Sequence, residues 1–214
     1  MAIETNKEWA SKLGINPAAS VTCVKPSGTV SQLVNSASGI HPRHSGFYIR
    51  SVRNDRKDPL TRFLIDQGVP WEDDVMFESN VVFSFPEKAP GDAISRKQMS
   101  AIEHLELWKV YAEHWCEHKP SVTIYVREEE WMVVGSWVRE NFDLISGISF
   151  LPYNDNDHAY AQAPYIEITE EEYEAALSKH PKNIDWSKLA EYDLGKDQTI
   201  GSQELACKGG SCEI

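Results

Sequence analysis

The amino-acid sequence predicts an α/β fold, from its composition and from two kinds of hydrophobic spacing. Of its 214 residues, 41% are apolar and 25% are charged, as in a globular domain with a buried core. Residues 96–117 place apolar side chains at helical spacing, and short β-branched runs stand before and after such segments. Alternating strands and helices imply crossover connections, so we expect a largely parallel sheet with sites at the carboxyl ends of its strands.

In the first half of the chain, elements are indicated by apolar spacing and by the residues at their ends. Gly14 suits the left-handed stop of a helix, and Pro59 suits the first position of another. The alternating run at 47–53 is typical of a strand, and we expect Pro86 to end the next strand. The predicted elements are helices at 6–13, 30–34 and 59–67, and strands at 21–24, 47–53 and 81–85.

The second half is dominated by the long apolar stripe, which predicts a helix ended by Pro120. Thr169, followed by three glutamates, is typical of a helix N-cap with acids in the first turn. The predicted elements are helices at 96–117 and 128–141 and from Thr169, and strands at 121–126, 147–151 and 165–168.

No element is indicated from Gly195 onward, and no convincing second domain is seen. We therefore expect one α/β unit over 1–194, followed by a flexible tail over 195–214.

The charge balance limits the classes of partner. There are 33 acidic and 21 basic residues, for a formal net charge of −12 at pH 7. A general binder of nucleic-acid phosphates needs a basic face, so that class is disfavoured and any nucleotide site must be local. No apolar run approaches the roughly 18 residues that span a bilayer, and the first residues do not resemble a secretory signal. We expect a cytoplasmic protein with neither a nucleic-acid nor a membrane partner.

The first candidate site is a turn between a predicted strand and a predicted helix. Free backbone N–H groups at such a turn, together with a helix dipole and hydroxyl side chains, can hold a phosphate. The glycine and lysine spacing of a Walker loop is absent, and an ordinary capped turn explains the segment at least as well. The candidate phosphate-binding residues are Pro26, Ser27, Gly28, Thr29, Val30 and Ser31.

The second candidate site is the cysteine pair near the end of the sequence. Cys207 and Cys212 flank the segment Lys-Gly-Gly-Ser. Two thiols on a Gly-rich tail can close a small ring and exchange with another disulfide. A zinc site is disfavoured because zinc needs about four ligands and the tail supplies only two, with no histidine nearby. A structural disulfide is disfavoured in a reducing compartment. A redox shuttle is therefore favoured over incidental tail cysteines.

Two further groups of residues give weaker signals. His114 and His118 share a helix face with Cys116 nearby, but no third ligand is apparent. We interpret these two histidines and His104 as surface or interface residues, we interpret Cys116 as a small helix residue, and we predict no metal site.

A basic group could hold a polyphosphate, although a solvated strand edge explains it about as well. This group consists of Arg43, His44, Arg50, Arg53 and Arg56.

Taken together, these segments resemble a known enzyme family. Residues 25–31 (Lys-Pro-Ser-Gly-Thr-Val-Ser), 36–42 (Ser-Ala-Ser-Gly-Ile-His-Pro) and 48–50 (Tyr-Ile-Arg) are similar to the phosphate-binding region of ribonucleotide reductase large chains. Later segments are similar to the last barrel elements of the same enzymes, and the resemblance runs in order along nearly the whole chain. These segments are 121–126 with Trp131, 141–143, 145–152 and 162–165.

The resemblance implies a fold and a set of roles. It implies part of a ten-stranded α/β barrel in which the Pro-Ser-Gly-Thr turn holds the phosphate of a ribonucleotide substrate. It also implies that Cys207 and Cys212 reduce an active-site disulfide and are themselves reduced by thioredoxin or a similar protein. Residues 149–151 read Ser-Phe-Leu where subunit-dependent reductases carry two adjacent tyrosines. The variant resembled is therefore the adenosylcobalamin-dependent, or class II, reductase.

One part of the family pattern is missing. Nothing in the sequence resembles the loop that carries the thiyl-radical cysteine and its partner glutamate, and Cys23 is interpreted as a barrel side chain on the predicted strand. The resemblance therefore implies the C-terminal part of the large chain, inactive without an N-terminal part that carries the radical cysteine. The alternative is a non-catalytic nucleotide-binding or regulatory module derived from the same barrel.

Overall fold

The computed structural model describes residues 1–154 and 161–192, and the backbone of 207–208 and 211–212. The helices are α1 (Ala2–Leu13), α2 (Val30–Leu33), α3 (Pro59–Asp66), α4 (Ala101–His114), α5 (Trp131–Glu140), α6 (Glu170–Lys179) and α7 (Leu189–Tyr192), with 3-10 turns at Glu128–Glu130 and Trp186–Lys188. The strands are β1 (Phe47–Asp55), β2 (Trp71–Asp73), β3 (Asn80–Lys88), β4 (Val122–Val126), β5 (Ile148–Pro152), β6 (Tyr165–Glu167), β7 (Cys207–Lys208) and β8 (Ser211–Cys212). No helix among the described residues is long and apolar enough to cross a membrane.

The predicted mixture of helices and strands is confirmed, but the described residues of 1–192 form two compact units where the sequence indicated one. The first unit holds the described residues of 1–43 and 92–154. The second holds residues 44–91 and 161–192. Each unit has its own cluster of buried apolar side chains.

The first unit contains the parallel pair that the sequence predicts. Strands β4 and β5 run parallel, with Val122 opposite Ile148 and Val126 opposite Pro152. Buried residues of helices α4 and α5 share one apolar cluster with those of β4. Trp108, at 0% exposure, lies at the centre of the cluster, and its indole N–H donates to the Pro120 carbonyl at 2.9 Å. A buried tryptophan is stable there because its one polar group has a partner.

Helix α4 is shorter than the predicted 96–117, because its first turn is defined by a capping box. The Ser100 hydroxyl accepts from the Glu103 N–H at 3.2 Å, and the Glu103 carboxylate accepts from the Ser100 N–H at 2.8 Å. These bonds satisfy N–H groups that have no partner inside the helix. The helix ends at His114, so Cys116 lies beyond it.

The strand predicted over 21–24 is wrong. This segment pairs with no strand; it is held by the chain that follows α4. The His118 N–H donates to the Thr22 carbonyl at 3.1 Å, and the Val21 N–H donates to the Glu117 carboxylate at 2.7 Å. Cys23 is therefore not on a barrel strand, and its sulfur lies 3.8 Å from the Lys119 carbonyl oxygen.

The second unit contains a four-stranded sheet in the order β2-β3-β1-β6, and every pairing in it is antiparallel. The prediction of a largely parallel sheet is therefore wrong for this unit. Its buried cluster is formed by Phe63, Leu64, Val69, Val81 and Phe83.

Strand β3 continues through Pro86 to Lys88, where the sequence predicted a stop. The Ser84 N–H points to the Pro70 carbonyl, away from β1, and the side of the strand repeats every second residue. The backbone nitrogen of Pro86, which carries no hydrogen, therefore faces the edge of β3 away from β1. Pro86 lies past Phe83, the last residue of β3 that pairs with β2. A proline is tolerated on such an open edge because no ladder hydrogen bond is lost.

The last described residues form a short hairpin, although the sequence indicated no element there. Strands β7 and β8 are antiparallel, with Cys207 opposite Cys212 and Lys208 opposite Ser211. The remainder of 193–214 lies outside the described residues. The tail boundary at 194/195 and the flexibility of the tail therefore stay predictions.

Candidate functional site

The candidate phosphate-binding turn is closed on itself by hydrogen bonds between two serines. The Ser27 hydroxyl oxygen accepts from the Ser31 N–H at 3.1 Å, and the Ser31 hydroxyl donates to the Ser27 carbonyl. Ser31 is buried and its hydroxyl proton is used inside the turn. Of the hydroxyls that the sequence suggested as phosphate donors, that of Ser31 is thus directed into the turn, whereas the Ser27 O–H proton is not used in these bonds and Thr29 is exposed.

Three consecutive backbone donors stand open in this turn. Within the part of the chain that the structure describes, the N–H groups of Gly28, Thr29 and Val30 have no hydrogen-bond partner, and the side chain of the N-cap residue Thr29 makes no hydrogen bond to the start of helix α2. Helix α2 has only four residues, so its dipole adds little. The anion-binding capacity of the turn therefore rests on adjacent N–H groups and the Thr29 hydroxyl.

A second loop, which contains Ser38 and Gly39, contacts the turn. The Ser27 N–H donates to the Ser38 hydroxyl oxygen at 2.8 Å. Next to Ser38, Gly39 has φ +58°, and a Cβ atom there would lie 2.8 Å from the Lys25 carbonyl oxygen. Only glycine fits this backbone and this approach. The Ser-Gly pair at 38–39 is the sequence signal for this contact, but sequence reasoning assigned it no role.

Two histidines lie next to this loop, and the sequence predicted a role at the turn for neither of them. His41 lies between the Ser38 carbonyl and strand β4. His104 is 3% exposed inside the first unit, so its interpretation as a surface or interface residue is wrong, and its Nε2–H donates to the Ile40 carbonyl at 3.0 Å. Burial lowers the pKa of His41; burial and the nearby His41 lower the pKa of His104 to about 4. Both rings are therefore neutral at pH 7.

The buried His104 predicts a loss of stability in acid. Its pKa is about 4 in the folded chain and about 6.5 in the unfolded chain, so the unfolded state binds more protons between these values. The contribution is fully present above pH 6.5 and falls as the pH is lowered towards 4, by up to about 3 kcal/mol. We expect urea denaturation to show a smaller difference between pH 7 and pH 4.5 for His104→Gln than for the unmodified chain.

The control for this measurement is His114→Gln, since the His114 side chain is 74% exposed. This variant should keep the full pH dependence. If His104→Gln and the unmodified chain lose the same free energy of unfolding between pH 7 and pH 4.5, the acid sensitivity does not come from His104.

The basic group is occupied by contacts inside the protein. Arg50 donates to the Pro164 carbonyl at 3.2 Å and lies 4.5 Å over the Tyr165 ring. Arg53 donates to the Gln162 carbonyl at 2.8 Å and pairs with Asp74 at 3.2 Å. Arg56 and Arg43 likewise donate to backbone carbonyls. These contacts favour a structural role over polyphosphate binding.

The cysteines fall into two groups. Cys207 and Cys212 are directly opposite each other in the tail hairpin. Cys23 and Cys116 are free, half-buried thiols, and burial raises the pKa of the Cys116 thiol, which makes it a poor nucleophile at neutral pH. Among the described residues, no group of three or more His, Cys, Asp or Glu side chains could hold a metal ion.

Comparison with known proteins gives a consistent result. The chain is 29% identical over 218 residues to the adenosylcobalamin-dependent ribonucleoside-triphosphate reductase of Lactobacillus delbrueckii subsp. bulgaricus, which covers 99% of this chain. It is 31% identical over 207 residues to the enzyme of that name from Euglena gracilis, covering 96% of this chain. It also matches a crystal structure of B12-dependent (class II) ribonucleotide reductase with a TM-score of 0.72 and 26% identity, over 92% of this chain.

These relatives are much longer than this chain. The chain spans 29% of the Lactobacillus relative, 27% of the Euglena relative and 27% of the chain in the crystal structure. No family model matches the chain.

Proposed function

We propose that this chain, a homologue of adenosylcobalamin-dependent ribonucleoside-triphosphate reductases along 99% of its length, is the C-terminal part of a class II ribonucleotide reductase. In the complete enzyme it binds the phosphates of a ribonucleoside di- or triphosphate and delivers reducing equivalents to the active site. The observation that carries the proposal is the row of open N–H donors at Gly28, Thr29 and Val30, within a segment that resembles the reductase phosphate turn.

The turn suits a phosphate because its donors are fixed before the ligand arrives. The bonds between Ser27 and Ser31 hold the turn, and the Ser38 hydroxyl oxygen accepts from the Ser27 N–H at 2.8 Å. Adjacent N–H groups that are held in place before binding need little reorganisation to bind an anion. The Thr29 hydroxyl adds one more donor at the exposed side of the turn.

The tail suits dithiol exchange because its two cysteines can close a ring. Residues opposite each other in an antiparallel pair have Cα atoms about 4.5 to 5.5 Å apart, which is within the range of about 4.4 to 6.8 Å for a disulfide. Cys207 and Cys212 are opposite in this sense. The two glycines between Lys208 and Ser211 favour a two-residue hairpin turn.

The electron balance assigns the tail its place in the reaction. Reduction of the ribose releases the 2′-hydroxyl as water and oxidises two active-site thiols to a disulfide. Cys207 and Cys212, as thiols, exchange with that disulfide and become a disulfide themselves. A dithiol protein of the thioredoxin type then reduces the tail, which places the protein in a reducing compartment such as the cytoplasm.

The proposed N-terminal part has surfaces to cover. Val30 and Val34 are 65% and 66% exposed, and Leu33 between them is 86% exposed. Trp9 and Leu13 on α1 are 55% and 65% exposed. Contiguous apolar side chains of this kind mark interaction surfaces, and we propose that the missing reductase segment, which contributes the other strands of a ten-stranded barrel and the radical cysteine, covers them.

Adenosylcobalamin supplies the radical in the proposed reaction. The described residues form no cluster of metal-ligating side chains. We therefore assign no residue of this chain to the cobalt, and we propose that the cofactor is held by the complete enzyme.

The proposal is tested by complementation. We expect this chain alone to form no deoxynucleotide from radiolabelled CTP or CDP, with adenosylcobalamin and dithiothreitol present. Addition of a separate polypeptide that supplies the N-terminal part of a class II reductase, with its radical cysteine, should produce cobalamin-dependent deoxynucleotide. Robust turnover by this chain alone contradicts the assignment, whereas nucleotide binding without turnover by the mixture supports the non-catalytic module.

A further inference from the structure

The contacts around His41 join the phosphate-binding turn to the core of the first unit. The Val122 N–H donates to the Gly147 carbonyl at 3.0 Å, towards β5, so the next N–H, at Thr123, points to the opposite edge of β4. His41 occupies that edge, and its Nε2 accepts from the Thr123 N–H at 3.0 Å. The imidazole is therefore attached to a strand that lies in the buried core.

The other ring nitrogen of His41 continues the connection. Nδ1–H donates to the Ser38 carbonyl at 2.8 Å, and the His41 backbone N–H donates to the same carbonyl at 3.0 Å. Because Nε2 accepts and Nδ1 donates, the ring is the neutral tautomer with its proton on Nδ1. Ser38 in turn accepts from the Ser27 N–H through its hydroxyl oxygen.

Helix α4 holds the same loop from a second direction. The His104 Nε2–H donates to the carbonyl of Ile40, which is 4% exposed. The two imidazole rings pack edge to face with their centroids 5.8 Å apart. The segment from Ser38 to His41 is thus fixed between β4 and α4, both of which belong to the buried cluster.

We propose that His41 is a positioning residue for phosphate binding, which acts through Ser38 and Ser27 on the open donors of the turn. This inference rests on the proposed function of the turn and goes beyond it. His41 touches neither the ligand nor the reacting atoms. It holds the turn in the conformation that leaves these N–H groups open, so that this ordering is complete before the ligand binds.

The test uses the full chain with inorganic pyrophosphate as the probe. The titration is followed by NMR through the backbone amides of Gly28, Thr29 and Val30. We expect His41→Ala to raise the Kd for pyrophosphate about tenfold, on the scale of one or two lost hydrogen bonds. His114→Ala is the matched control, since its side chain is 74% exposed, and it should leave the Kd unchanged.

Two conservative variants separate positioning from general destabilisation. His41→Asn can restore the bond to the Ser38 carbonyl, and His41→Gln can restore acceptance from the Thr123 N–H, but neither side chain spans both. Each should recover part of the affinity, with the Ser27 amide resonance moving back towards its position in the unmodified chain. Thermal melting of all variants gives the stability against which the Kd values are compared.

The outcomes distinguish this inference from the function on which it rests. Equal pyrophosphate affinity for His41→Ala and the unmodified chain overturns the role of His41 and leaves the phosphate turn intact. The role of His41 is also overturned if the Kd values of the variants change only in proportion to their melting temperatures and neither His41→Asn nor His41→Gln recovers affinity for pyrophosphate. Absence of pyrophosphate binding by the unmodified chain overturns the phosphate turn itself, and this inference with it.

Discussion

Replacing Cys207 and Cys212 with serine should abolish thioredoxin-driven multiple turnover in the complemented enzyme while leaving dithiothreitol-driven turnover largely intact. Without the tail thiols, the disulfide formed in each cycle has no protein dithiol that reaches both the active site and thioredoxin, so the reaction stops after about one turnover. Dithiothreitol is small enough to reduce the active site directly. The measurement is deoxynucleotide formed per enzyme, with each reductant in turn.

The matched control for the tail is the other pair of cysteines. Cys23 and Cys116 are half-buried, and the raised pKa of the Cys116 thiol makes it a poor exchange partner. Cys23→Ser and Cys116→Ser should therefore keep turnover with both reductants. If the tail variant responds to the two reductants just as the unmodified enzyme does, the tail is not a shuttle.

A single negative charge introduced into the phosphate turn should strongly weaken the binding of the ribonucleotide substrate. Thr29 precedes helix α2 and is exposed, so Thr29→Asp costs no buried contact and supplies a favoured N-cap side chain. Its carboxylate lies where the proposed phosphate binds, and two such charges about 4 Å apart repel by about 1 to 4 kcal/mol between water and a protein surface. We expect the KM for the ribonucleotide to rise about a hundredfold, measured in the complemented enzyme.

Thr29→Asn isolates the charge in that experiment. Asparagine has nearly the shape of aspartate and caps a helix equally well, but it is neutral. It should raise the KM only by the small amount expected for loss of the Thr29 hydroxyl. Equal KM values for the Asp and Asn variants would show that no anion binds at the turn.

Local signals in the sequence predicted most of the helices and strands. Thr169 was expected to cap a helix, and its hydroxyl accepts from the Glu172 N–H at the start of α6. Gly14, with φ +65°, ends α1 as predicted. Pro59 begins α3 in its first turn. These predictions hold because the interactions involve residues within about one turn of each other.

Predictions that depended on distant partners were less successful. The segment at 21–24 has the composition of a strand, but its hydrogen bonds go to Glu117 and His118 beyond α4. The sheet containing β1 and β3 is antiparallel, although alternating elements favoured parallel strands. β-branched composition indicates an extended backbone, but the partner that pairs with it is chosen by the tertiary fold.

The candidate site divides in the same way. The residue types and spacing of the Pro-Ser-Gly-Thr turn and of the cysteine pair stand in contiguous sequence, so the sequence alone determined the two segments that carry the proposed chemistry. Only the tertiary structure decided that the Ser31 hydroxyl is used internally and that Ser38 supports Ser27. It also brought His41 to Thr123, 82 positions along the chain, because hydrogen bonds between distant residues form only after the core has packed.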